Sequence, residues 1–212
     1  MKFNGIVKTP LMLFGFLTFG LFIACSDNDA NLSEEEALVN SVDSEEDINA
    51  LLFMLEEEKL ARDTYMYLDG LWGIDQFANI KLSEQSHMNA VVKLLVQYNI
   101  DHTILPDGEF NNEELQDFYN QFVEKGQIDR VNALEVGATI EDLDIVDLEN
   151  YIKATSNTDI ITVFESLQCG SRNHLRSFVR GLENSGASYT PQFLTIENYN
   201  LIVNDKNEKC GQ

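Results

Sequence analysis

The sequence predicts an all-α fold, a four-helix bundle with one long crossover between its second and third long helices. Three observations predict it. Apolar residues recur at helical spacing along four long segments. The 212 residues include only 3 Pro, so helices can run uninterrupted. β-branched residues form none of the alternating runs that strands require. The length suits one ordinary domain with an appendage, and 44% hydrophobic residues suffice for a core.

In chain order, residues 1–24 hold Lys2 and Lys8, no acid, and an apolar run from Leu11 to Ala24, and they read as a signal peptide. The run is about 14 residues, shorter than the roughly 20 that a spanning helix needs. Its ending, Phe22-Ile23-Ala24-Cys25, resembles the lipobox of bacterial lipoproteins, although Phe22 replaces the usual Leu. The resemblance implies that Cys25 is lipidated and becomes the first mature residue. It also implies an extracytoplasmic protein anchored to the cell envelope, with Ser26 directing it to the outer membrane where there is one. Residues 25–44 are acidic, small and polar and read as a flexible tether.

The bundle is expected over 45–200. Ser44-Glu45-Glu46-Asp47 resembles a capping box opening a first helix at about 45–68, with Ile48, Leu51, Leu55 and Tyr65 on one face. A break at Gly70-Leu71-Trp72-Gly73 precedes a second helix at about 79–98, with Ile80, Val91, Leu94, Leu95 and Tyr98. Pro106 and Gly108 mark residues 99–129 as the crossover, which holds one short amphipathic segment near 113–123. A third helix at about 129–153 carries Leu134, Ala138, Ile145, Leu148 and Ile152, and a fourth at about 158–184 carries Ile160, Phe164, Leu167, Phe178 and Leu182. Residues 201–212 form a tail. Cys169 and Cys210 are expected to pair in an oxidising compartment, stapling that tail to the fourth helix.

Charge removes one class of partner. With 36 acidic against 14 basic residues the chain carries −22, which repels phosphate backbones and excludes nucleic acid as a partner.

Each apolar stripe is interrupted near its middle by polar residues. These are Glu58 in the first helix, Glu84 and His87 in the second, Glu141 in the third, and Ser171 and His174 in the fourth. The two halves of the bundle therefore look like a diverged repeat. A buried carboxylate is unfavourable unless it is paired or bound to a cation, so several together point to metal. Glu84 and His87, one turn apart, offer an oxygen and a nitrogen from the same helix. Di-iron carboxylate bundles use one Glu from each of two helices and a Glu-x-x-His from each of the other two. Glu58, Glu84, His87, Glu141 and His174 fill five of those six places.

The segments EEEKLARDTY (56–65), SEQSHM (83–88), VGATIEDLDI (136–145) and GSRNHLRSF (170–178) resemble the DUF2202 family, a branch of the ferritin-like, rubrerythrin-related di-iron carboxylate superfamily. The resemblance spans about 45–195. It implies a ferritin-like bundle with two irons and an oxidase or peroxidase acting on O2 or peroxide. Glu58 followed by Ala61 and Tyr65 is similar to the rubrerythrin metal helix, which selects Glu58 over Glu57. The departure is Ser171, where the family pattern has Glu. Glu165 lies too far along the helix to replace it, whereas Asp144, one turn after Glu141, is positioned to add a ligand. A single zinc or manganese suits the same donors. No Cys-x-x-Cys is present, so an electron donor would be a separate partner; a homodimer is compatible. The alternative is a non-catalytic helical lipoprotein, a binding or scaffold module with a degenerate site.

The remaining polar residues take plainer expectations. Glu56, Glu57, Lys59, Glu113 and Glu114 read as solvated helix faces, and His102 as an exposed loop residue. Arg172 and Arg176 are expected to pair with buried carboxylates such as Glu141 or to cap the outside of their helix. Gly170 is expected to permit close packing or a bulge beside the site.

Overall fold

The computed structural model describes residues 44–210. Residues 1–43, on which the expected leader, lipidated Cys25 and tether fall, lie outside the described residues. Six helices follow: α1 Glu45–Trp72, α2 Asp75–Gln97, α3 Glu113–Gly126, α4 Arg130–Ala154, α5 Thr158–Asn184 and α6 Ile196–Asn204. Among the described residues there is no strand, and none of these helices is long and apolar enough to cross a membrane.

Side-chain caps set most helix starts. Ser44, Asn112, Asp129, Asn157 and Thr195 each accept a backbone N–H from the first turn they precede. α1 ends at Gly73, whose φ of 57° is the left-handed conformation that closes a helix and favours glycine. The break is shorter than the sequence predicts, because α1 continues through Gly70 to Trp72 and α2 begins at Asp75. Two contacts explain this. Trp72 Nε1 donates to Gly126 O at 2.8 Å, and buried Phe77 packs against Tyr65 and Phe178, so the apolar stripe of α2 starts one turn early.

α1 pairs with α2 and α4 with α5, each through a tight connection, while α1 also meets α4 and α2 meets α5. The core consists of two apolar clusters. One joins the second half of α1, the start of α2, the first half of α4 and the end of α5. The other joins the start of α1, the end of α2, the end of α4 and the start of α5. α2 and α4 therefore run in the same direction, so the chain must return along the bundle between them. Residues 98–129 make that return, with α3 packed on α1 and α4.

Lys59, expected on a solvated face, is instead 1% exposed and fastens this crossover. Its Nζ donates to Asp63 Oδ2 at 2.5 Å, Pro106 O at 2.9 Å and Glu109 O at 3.0 Å. Gly108 N donates to the same Asp63 oxygen at 2.8 Å. Glu56 is likewise engaged, accepting the backbone N–H groups of Asn111 and Asn112 at 2.8 Å each. Glu113 and Glu114 are exposed, and His102 is half-buried, its Nδ1 3.1 Å from Ile100 O. α6 crosses the boundary drawn between bundle and tail at 200/201, because buried Tyr199 anchors it beside Tyr189.

Candidate metal centre

The polar interruptions of α1, α2, α4 and α5 meet in one layer between the two apolar clusters. Glu58, Glu84 and Glu141 are each 2% exposed, and His174 is 9% exposed. Their donor atoms form two triads, Glu58–Glu84–His87 and Glu84–Glu141–His174, with all ligand atoms of a triad within 4.8 Å of one another. Glu84 belongs to both. Its Oε2 lies 2.8 Å from His87 Nδ1 and its Oε1 lies 2.8 Å from His174 Nδ1. Glu58 Oε2 is 3.1 Å from His87 Nδ1, and Glu141 Oε2 is 3.4 Å from His174 Nδ1.

Surrounding side chains hold these groups in place. Tyr65, buried on α1, donates its O–H to Glu141 Oε1 at 2.5 Å. The His87 and His174 rings stack with centroids 5.6 Å apart. Gly170 is what admits the His87 ring, since a Cβ there would fall 2.7 Å from its Cε1 and Nε2. Asp144 is buried in the same layer but belongs to neither triad, and Ser171 Oγ donates to its Oδ2. Glu165 is exposed and takes no part.

The electrostatics are those of buried acids and imidazoles that share protons. Burial pushes Glu58 up to about 8, a rise that His87 opposes. Burial also acts against charge on Glu84, but His174 and His87 on either side overcome it and hold this carboxyl well below the usual range. The imidazoles mirror this: burial disfavours their charge, yet Glu84 and Glu141 lift His174 to about 10, and Glu58 and Glu84 raise His87. Burial raises Glu141 and Asp144 as well.

The donors fit a pair of divalent ions. Glu58 Oε1, Glu84 Oε1, His174 Nδ1 and Asp144 Oδ1 are buried without a hydrogen-bond partner. Glu84 Oε1 and His174 Nδ1 stand 2.8 Å apart and still do not form one. Atoms this close and misaligned converge on a shared point rather than on each other. Carboxylate and imidazole donors suit iron, manganese or zinc.

Two expectations need correction here. Glu57, placed on a solvated face, is 2% exposed and neither carboxylate oxygen has a hydrogen-bond partner; burial raises its pKa, helped by Asp144 and Asp147. α1 is covered by α2, α4 and α3, so more than one stripe of it is buried. The amphipathic segment at 113–123 was the available signal that another face of the bundle would be covered. Arg172 and Arg176 do not reach Glu141. Both bind Glu208, Arg172 through Nε at 2.8 Å and Nη2 at 2.5 Å, and Arg176 through Nη2 at 2.8 Å. The C-terminal segment brings that carboxylate to α5, where a disulfide joins Cys210 to Cys169 with Cα atoms 5.4 Å apart.

The fold and site together define an all-α bundle whose polar core layer presents two carboxylate–histidine triads joined by one glutamate. The chain belongs to the family described as "Uncharacterized protein domain (DUF2202)", which it matches over residues 47–206. It is 50% identical over 168 residues to the uncharacterized protein MJ0754 of Methanocaldococcus jannaschii, a match covering 78% of this chain and 91% of that protein. The crystal structure of hypothetical protein MJ0754 from Methanococcus jannaschii superposes with a TM-score of 0.76, covering 78% of this chain and 95% of that one.

Proposed function

We propose that this protein is a ferritin-like lipoprotein of the cell envelope whose bundle binds two divalent metal ions, iron foremost, and uses them to reduce O2 or peroxide. The observation that carries this reading is Glu84, whose two oxygens face the two histidines while Glu58 and Glu141 close the triads from α1 and α4. Glu58, Glu84 and His87 would hold one ion, and Glu84, Glu141 and His174 the other. Two ferrous ions, if bound there, would supply the two electrons that, with two protons, reduce one peroxide to two waters. The chain contributes the rest. Tyr65 fixes the orientation of Glu141 through its hydrogen bond, Ser171 fixes Asp144, and the apolar clusters above and below keep water from the layer. The absence of a Cys-x-x-Cys from the sequence supports a separate electron donor, and the lipobox-like ending at Cys25 supports a lipid-anchored location.

A second reading is favoured by Ser171. With a neutral hydroxyl in the sixth place, the centre would hold zinc or manganese without turning over, as a binding or scaffold module. One experiment separates the two. The chain from residue 26 onward is loaded anaerobically with ferrous iron, its metal content measured by mass spectrometry, and its peroxide consumption followed. About two irons per chain, reduced in both His87→Ala and His174→Ala, with peroxide consumed, supports the oxidoreductase. Iron bound without turnover supports the scaffold, and no iron bound overturns the oxidoreductase and leaves the scaffold.

A further inference from the structure

The triads are closed to solvent except on one side. Their carboxylates are 2% exposed, whereas the side chains of His87 and His174 are 12% and 11% exposed. The imidazoles face a cavity of about 480 Å³, bordered by His87, Gly170, Asn173, His174, Glu208 and Cys210. Glu208 and Cys210 are not part of the bundle. They belong to the segment after α6, held across the cavity by three attachments. The Cys169–Cys210 disulfide is the first. The Glu208 pairs with Arg172 and Arg176 are the second. The third is a backbone clasp in which Glu208 N donates to Asn173 Oδ1 at 2.9 Å and Asn173 Nδ2 donates to Glu208 O at 3.1 Å.

Resting on the metal-centre reading above, we infer that residues 205–210 form a disulfide-locked strap over the mouth of the centre, and that reduction of Cys169–Cys210 opens it to metal ions and small oxidants. A dithiol supplies two electrons and two protons, leaving two cysteine thiols and its own disulfide. Cys210 is half-buried at the cavity rim, where a dithiol can reach it. Once the covalent link is gone, the strap is held by the Asn173 clasp and by ion pairs to Glu208, whose side chain is 31% exposed. Solvent competes for the Arg172 pair, whose side chains are 23% and 31% exposed. Arg176, 2% exposed, keeps its bonds to Ile202 O and Asn173 Oδ1 when Glu208 leaves. The segment therefore detaches while the two apolar clusters keep the bundle folded.

The test compares the purified mature chain in its oxidised form, the same chain after treatment with a dithiol, and the Cys210→Ser and Glu208→Gln variants. Far-UV circular dichroism checks that each is folded, and rapid filtration follows anaerobic ferrous iron uptake. Reduction and Cys210→Ser are each expected to speed uptake about tenfold while leaving the final metal content unchanged. Glu208→Gln, which keeps the disulfide, is expected to speed it less. Uptake at equal rates in oxidised and reduced chains overturns the strap and leaves the metal centre standing. No uptake in any form overturns both. If Cys210→Ser fails to fold, the dithiol-treated chain decides the matter.

Discussion

The two hairpins of the bundle, α1–α2 and α4–α5, hold equivalent places around the centre but contribute unequally. The first supplies Glu58, Glu84 and His87, which make a triad on their own. The second supplies Glu141 and His174 and must borrow Glu84, because Ser171 stands where the repeat calls for a carboxylate. The hairpins are also braced differently. The crossover is fastened to α1 through Lys59 and Asp63. The C-terminal segment is fastened to α4 and α5 through Asp142, Arg176 and the disulfide, with buried Asp142 accepting the backbone N–H groups of Gln192, Phe193 and Leu194. One hairpin therefore carries a complete triad, and the other carries the C-terminal segment that borders both histidines.

Substituting the shared ligand breaks this comparison most completely. Glu84→Ala removes a donor from both triads, so metal content should fall from about two per chain to none. Glu141→Ala removes a donor from the second triad alone and should leave one metal. Metal analysis of the two variants side by side distinguishes a shared bridge from two independent sites, since independence would leave one ion in each.

Protons should follow the same division. In the metal-free chain burial lifts the Glu58 carboxyl from 4.5 to about 8, and Glu84 and Glu141 lift His174 from 6.5 to about 10 against the opposing effect of burial. The folded chain thus keeps protons that the unfolded chain gives up, so metal-free stability should decline as pH rises between about 5 and 10. Glu84, shifted downward, stays ionised throughout that window and does not reverse the trend. Bound metal replaces these protons, so loading at pH 7 should release them to a pH indicator. Thermal melts should then show the loaded chain losing less stability than the metal-free chain between pH 6 and pH 9.

The bracing gives a smaller effect that needs no metal. Lys59→Met removes the cation facing Asp63 and frees two crossover carbonyls, and breaking a buried pair in this way costs about 3 kcal/mol. Arg62, which still donates to Asp63 Oδ1 at 2.8 Å, keeps the loss near the lower end of what such pairs show. Denaturant unfolding measures it, and a loss within experimental scatter would show that the crossover does not depend on Lys59.

Lys59 also shows where the sequence could be read and where it could not. The four long helices follow from one apolar stripe each, and the five donors stand out because each interrupts such a stripe. That pattern records one face per helix. α1 is covered on further sides by α3 and the crossover, so Glu57 and Lys59 are buried on faces where a solvated helix would carry the same residues. Arg172 and Arg176 pair not with Glu141 but on the outside of their helix, with a partner that no stripe reveals. Their partner Glu208 lies beyond α6, and no periodicity links a tail residue to the helix on which it docks. Asp142 adjoins Glu141 in sequence yet faces the 189–194 segment, a direction set by the helical turn between neighbours.

Ser171→Ala sharpens the comparison most finely. Ser171 Oγ donates to Asp144, a buried acid whose other oxygen has no hydrogen-bond partner. Removing the hydroxyl deprives a buried acid of that donor, at about 1.5 kcal/mol in the metal-free chain. The consequence for metal depends on what Asp144 does. If it only balances charge beside the second triad, Ser171→Ala lowers stability and leaves two metals bound with nearly unchanged affinity. If it supplies the donor that Ser171 cannot, freeing it from the hydroxyl tightens the second ion while the first is unaffected. A metal titration of Ser171→Ala against the parent chain separates these outcomes, and the second would show that the α4–α5 hairpin recovers its missing carboxylate from the neighbouring helix.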